Sequence, residues 1–201
     1  MMTTTAPSIA ALPQEGGRPR VQRLVEDLPT VHLEAAVPRR AAWTLEVDGL
    51  VEQPLRLSMS DLTALPTTER EIDLHCVWGW SRPGCRWGGV DGDDFLRHCR
   101  PRPEATCALL AAAESPYASC VRLDDVVDGM LAWRLDGSEL PSQHGGPLRF
   151  VGPAHLWGYK GVKWLARVTF LEHFEPGFWE AKVGDAEGRI PDAILDLFER
   201  P

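Results

Sequence analysis

The chain has 201 residues, of which 44% are hydrophobic and 25% charged, and a formal net charge of −8. That is the length of one domain and the composition of a folded globular protein. An acidic balance is the wrong sign for tracking a phosphate backbone, which argues against nucleic-acid binding, and no apolar run approaches the length of a membrane-spanning helix.

Residues 1–24 are rich in Thr, Pro, Gly and Arg and are expected to be a flexible arm. They lack a basic stretch followed by an apolar one, so a cytoplasmic location is expected. Residues 25–201 read as a single domain. A short extended piece at 28–33 precedes strands at 43–47, closed by Asp48-Gly49, and at 54–57. Ser60 is expected to cap a brief helix, 61–65, stopped by Pro66.

From Glu69 to Val77 the pattern has period two, which predicts one strand. Ile72, Leu74 and Cys76 share its inner face, while Glu71, Asp73 and His75 share the other. Cys76 then points inward where the strand meets a Trp-Gly-Trp loop. Such a thiol suits a metal ligand, a nucleophile or a plain buried cysteine, and the local pattern alone favours the last. A turn at Arg82-Pro83-Gly84 follows, and Asp91 is expected to cap a helix over 93–98. Further strands are expected at 106–113, 117–123, 130–135, 148–151 and 162–174, with a turn at Asp136-Gly137 and a short amphipathic piece at 194–198. Many short strands, few short helices and frequent Gly and Pro predict a mainly β, α+β domain.

The five cysteines, at 76, 85, 99, 107 and 120, include no Cys-x-x-Cys pair. That spacing supports neither a zinc site nor a thioredoxin-like disulfide nor attached haem. The eight tryptophans fit core packing and ligand pockets equally well.

Two later stretches carry possible chemistry. In Gln143-His144-Gly145-Gly146-Pro147-Leu148-Arg149 the paired glycines permit close backbone approach, and Arg149 offers a planar fork suited to phosphate. In Gly161-Val162-Lys163 the backbone N–H groups and an ammonium could cradle an anion. An exposed arginine on a strand and a surface turn with two lysines, Lys160 and Lys163, would read the same way.

Taken in order, the motifs resemble a family. They run His-Cys-Val-x-Gly-Trp-Ser, Trp-x-Gly-Val, a strand containing Tyr117, Asp-Gly-x-x-Leu, His-Gly-Gly-Pro-Leu-Arg, Gly-Val-Lys-Trp-Leu and Pro-Gly-Phe-Trp. This pattern, from about Trp43 to Trp179, is similar to the molybdopterin-binding domain of sulfite oxidases, plant-type nitrate reductases and bacterial methionine sulfoxide reductases. The shorter bacterial sulfite-oxidase-like proteins are the nearest type.

The resemblance implies a sulfite-oxidase-type fold and a molybdenum–molybdopterin cofactor with one pterin and no dinucleotide. It implies that Cys76 is the protein thiolate on molybdenum, a soft ligand for a redox-active metal. It also implies that His144, Arg149, Gly161, Val162 and Lys163 bind the pterin and its phosphate, and that Tyr117 stands near the metal. The segment from Pro29 to His32 falls where relatives supply another cofactor-binding loop.

Two departures matter. Sulfite oxidases carry a substrate-binding arginine five residues after the metal cysteine, and here that position is Ser81. The C-terminal dimerisation domain of those enzymes has no counterpart, which favours a monomer. The expected activity is oxygen-atom transfer to or from a small S- or N-oxide. No haem, flavin or iron–sulfur motif is present, so electrons are expected to pass through a separate protein. The competing readings are a degenerate cofactor-binding domain, a sulfite oxidase and a thiol hydrolase built on Cys76.

Overall fold

The computed structural model describes residues 22–30, 42–113, 116–183, 185–196 and 198. In chain order the first elements are β1 (Arg23–Leu24), β2 (Thr44–Gly49), β3 (Leu55–Ser58), α1 (Met59–Thr63), β4 (Thr68–Glu71), β5 (Leu74–Cys76), β6 (Trp80–Arg82) and β7 (Arg86–Asp91). Then come α2 (Gly92–Cys99), β8 (Cys107–Ala112), β9 (Ala118–Arg122), α3 (Leu123–Val127), β10 (Met130–Leu135), β11 (Ser138–Glu139) and β12 (Arg149–Val151). The last are β13 (Leu165–Leu171), α4 (Glu180–Val183) and α5 (Asp192–Leu195). Strands dominate and the helices are short, as the Gly- and Pro-punctuated pattern predicts.

The strands make three sheets. One has the order β3-β2-β13-β8-β9, with β2 and β13 parallel. A second runs β11-β10-β7-β4, and β12 also pairs with β10. The third is a small sheet, β1-β6-β5. The alternation along β10 explains how these layers share a core. Leu131 and Trp133 enter a large core with the first sheet and the helices, while Met130 and Ala132 enter a smaller core with Ile72, Leu74 and Trp87. A central strand buried on both faces reads as an unbroken apolar run, as Met-Leu-Ala-Trp does.

Three sequence expectations are corrected. The predicted strand through 69–77 is two strands in two sheets, since β4 pairs with β7 and β5 with β6. The chain breaks at Ile72 and Asp73, where the Asp73 carboxylate accepts the Gly84 N–H at 2.7 Å and the Ile72 N–H donates to Cys85. The first helix is capped by Ser58 rather than Ser60, because Ser58 and Asp61 satisfy each other's backbone N–H in a capping box. Of the expected arm, residues 1–21 lie outside the described residues, while Arg23 and Leu24 pair in parallel with β6. Among the described residues, no helix is long and apolar enough to cross a membrane.

Candidate active site

β5 and β6 form a hairpin closed by Val77, Trp78 and Gly79. The Gly79 N–H donates to the Cys76 carbonyl at 3.0 Å, and its φ of +85° lies where glycine meets no Cβ penalty. The pairing sets Cys76 opposite Trp80 and His75 opposite Ser81. Successive strand residues face opposite ways, so Cys76 and Trp80 share one side and His75 and Ser81 the other. On the expected inner face Ile72 and Leu74 are buried and Cys76 is half-buried, while His75, expected to face outward, is 1% exposed.

Cys76 opens onto a cleft that communicates with solvent. The hairpin contributes Cys76, Trp78 and Trp80 to its walls; Tyr117, His144, Arg149, Gly161 and Lys163 come from elsewhere in the chain. Trp164, Trp179, Leu28 and Pro29 also line it. Thus the three separate stretches meet. Of the segment from Pro29 to His32, Pro29 lines the cleft, and Val31 and His32 lie outside the described residues.

Val162 does not line the cleft. It is fully buried in the large core, its N–H donates to Phe150, and the Gly161 N–H donates to Gly158. Both groups are therefore committed to protein carbonyls, which corrects the expected backbone cradle. Tyr117 does line the cleft, but its hydroxyl donates to the Tyr159 carbonyl at 2.5 Å, with the Gly161 carbonyl at 3.4 Å. Burial pushes its pKa up, so it stays protonated and orders the turn that presents Gly161.

Arg149 occupies the face of β12 turned toward the smaller core. Its guanidinium stacks 5.1 Å from the Trp87 ring centroid and donates to the His144 carbonyl at 3.0 Å. Its buried Nε has no partner, and it forms no ion pair among the described residues. Burial lowers its pKa to about 10. Lys163 donates to the Gln143 carbonyl at 2.9 Å and also lacks an ion pair there. Burial, then the Arg149 charge, push its pKa down to about 7. His144 carries a second orphaned atom, Nδ1, and burial with the two cations keeps its ring neutral.

Gly145, at φ +108°, lets these pieces meet, because a Cβ there would stand 2.9 Å from Lys163 Cα. Trp164 holds a positive φ of 53°, tied by its N–H to Gly145 and by its indole N–H to Ser142. A bulky residue in that region is strained and needs such ties.

Buried cations without counter-anions are costly, and buried polar atoms are normally paired. Buried Arg149, half-buried Lys163 and the orphaned His144 Nδ1 therefore fit a ligand with a phosphate and further hydrogen-bonding groups. Cys76 opens its thiol to the same cleft; burial raises its pKa to about 11, against the Trp78 backbone N–H and the Lys163 charge, so the free side chain is a thiol and a bound metal would supply the charge that holds it as thiolate.

Sequence reasoning missed Lys160 and Glu180. Lys160 is 1% exposed, and its ammonium meets the Glu180 carboxylate at 2.8 Å behind the cleft. A lysine in a Gly-Tyr-Lys-Gly turn carries no local sign of burial. It also missed Trp87 as the platform under Arg149, and Trp179 in the cleft wall.

The cleft brings together residues that could hold a phosphate-bearing cofactor and a metal, and comparison with known proteins names the family. The oxidoreductase molybdopterin binding domain matches residues 32–179, and the chain belongs to that family. It is an oxidoreductase of the molybdenum–molybdopterin kind.

The chain is 37% identical over 172 residues to the uncharacterized oxidoreductase YuiH of Bacillus subtilis, across 83% of this chain and 85% of that one. It is 33% identical over 165 residues to the protein-methionine-sulfoxide reductase catalytic subunit MsrP of Gluconobacter oxydans, spanning 73% of this chain and 52% of MsrP. Its fold matches the sulfane dehydrogenase SoxCD of Paracoccus pantotrophus with a TM-score of 0.62 at 22% identity, over 72% of this chain and 40% of that one. The chain thus spans about half the length of MsrP and less of SoxCD.

Proposed function

We propose that this oxidoreductase moves an oxygen atom to or from a small neutral S- or N-oxide, with electrons exchanged through a separate protein. One observation carries the reading: a cleft that sets a single thiol, Cys76, beside two cations without counter-anions also has tryptophan walls. When bound, the molybdenum–pterin group supplies the two-electron couple at which the oxygen atom is exchanged.

In this reading Cys76 is the thiolate on the metal. Arg149, Lys163 and His144 hold the pterin and its phosphate, with Gly161 against it, and Tyr117 forms the wall beside them. Trp78, Trp80 and Trp179 keep water from the substrate and favour a neutral ligand. For a sulfoxide, two electrons and two protons convert the substrate to the corresponding thioether and water. The resemblance to MsrP supports the substrate class.

A sulfite oxidase reading needs a further cation beside the metal. Ser81, at the expected arginine position, faces away from the cleft, and Arg82 is held by Asp136 at 2.5 Å and by the Glu26 carbonyl at 2.8 Å. The cleft cations are those assigned to the cofactor. Five free thiols support a reducing, cytoplasmic setting, and a monomer is part of the proposal.

The test is elemental analysis for molybdenum with identification of the pterin released on denaturation, followed by steady-state kinetics. One molybdenum per chain and turnover of sulfoxides or N-oxides are expected. Sulfite oxidation with kcat/KM above about 10⁴ M⁻¹s⁻¹, the range of ordinary enzymes, would make this a sulfite oxidase. Protein lacking both metal and pterin would make it a degenerate domain.

A further inference from the structure

Behind Cys76, on the far side of the hairpin, lies a buried polar chain. His75 Nδ1 and Ser81 Oγ are 2.7 Å apart, and Ser81 Oγ donates to Gln22 Oε1 at 3.1 Å. His75, Ser81 and Gln22 are 1%, 0% and 8% exposed. Ser81 has one proton, and it goes to Gln22, so Ser81 accepts from His75 Nδ1–H. Two hydrogen bonds thus link the three side chains where little water reaches.

The same residues join three parts of the site. His75 precedes Cys76 and bridges in parallel to Trp157, where the turn carrying Tyr159 and Gly161 begins. Ser81 lies on the strand opposite. Gln22 opens a segment that runs along β6, with the Arg23 N–H on the Gly79 carbonyl and the Val25 N–H on the Ser81 carbonyl, both at 3.0 Å. That segment ends at Leu28 and Pro29 in the cleft wall. A three-residue strand such as β5 cannot hold its own register, and a two-stranded hairpin is marginal alone. The third strand and the buried polar tie supply what it lacks.

We infer that His75, Ser81 and Gln22 are positioning residues for the Cys76 thiolate, and that the N-terminal segment from Gln22 to Pro29 is a working part of the metal site. None of the three touches the cleft; they act by fixing where the sulfur points. The inference rests on Cys76 as the metal's ligand. Register in a hairpin decides which face every side chain takes, so loosening the tie moves the sulfur directly.

The test compares the metal-loaded Ser81→Ala, Gln22→Leu and Ser81→Thr variants with wild type and Cys76→Ser. The readouts are thermal melting, molybdenum content and the sulfur-to-metal charge-transfer absorption. Ser81→Ala and Gln22→Leu should melt cooperatively yet show shifted bands and at least a twofold loss of molybdenum on prolonged dialysis. Ser81→Thr keeps the hydroxyl and should restore both. Unchanged bands and metal content in Ser81→Ala and Gln22→Leu, with the bands altered in Cys76→Ser, overturn this inference alone. A Ser81→Thr variant as damaged as Ser81→Ala also overturns it, since packing rather than the hydrogen bond would then matter. Bands left unaltered in Cys76→Ser overturn the ligand assignment, and this inference with it.

Discussion

The Lys163 ammonium and the Arg149 guanidinium line one cleft, and burial together with the Arg149 charge pushes the Lys163 pKa down to about 7. Neither cation has an ion-pair partner among the described residues, so the cofactor-free site holds a repulsion that an anionic ligand relieves.

That repulsion gives a pH signature. The folded value of Lys163, about 7, lies below its ordinary value of 10.5. Between the two the unfolded chain holds a proton that the folded chain has released, so stability rises with pH across this window. The urea midpoint of cofactor-free protein should increase from pH 7 to pH 9, and Lys163→Met should flatten that increase.

The same cations should be needed for loading. Arg149→Ala and Lys163→Ala each remove charge-assisted contacts of about 1.5–3 kcal/mol. Both variants should fold and carry less molybdenum and pterin, as measured by metal analysis. Full loading in both would place the phosphate elsewhere.

Cysteine replacement separates the ligand from the core thiols. Cys76→Ser should abolish activity and alter the sulfur-to-metal bands without unfolding, because a hydroxyl is a harder, less acidic ligand. Cys85, Cys99, Cys107 and Cys120 are buried. Changing each to Ala should cost stability, about 0.5–3 kcal/mol, and leave the bands intact.

The buried ion pair behind the cleft should be a stability element. Glu180 Oε1 accepts from Lys160, from the Ser119 hydroxyl at 2.6 Å and from the Cys120 N–H at 3.1 Å. Lys160→Ala strands a buried carboxylate and should destabilise by about 3–5 kcal/mol in urea titration. Combining it with Glu180→Gln should recover part of the loss.

Several features were legible in the sequence because they depend on local order. The short strands, the turn at Asp136-Gly137 and the motif order that marks the family are written along the chain. So are Cys76, His144, Arg149 and Lys163, which carry recognisable residue types at recognisable spacings. The orientation of Cys76 and His75 was not legible, because alternation shows that neighbours face opposite ways but not which face opens onto a cleft. That choice was made by β6, by the β1 strand from a stretch expected to be flexible, and by the break at Asp73, which sent one periodic run into two sheets. Val162 reads as part of a cradle until its N–H is found on Phe150. Lys160 reads as a surface lysine until Glu180 is found beside it. In each case the deciding partner lies far away in sequence. Backbone pairing and charge burial are settled by what the folded chain brings within about 3 Å, and no local pattern contains that information.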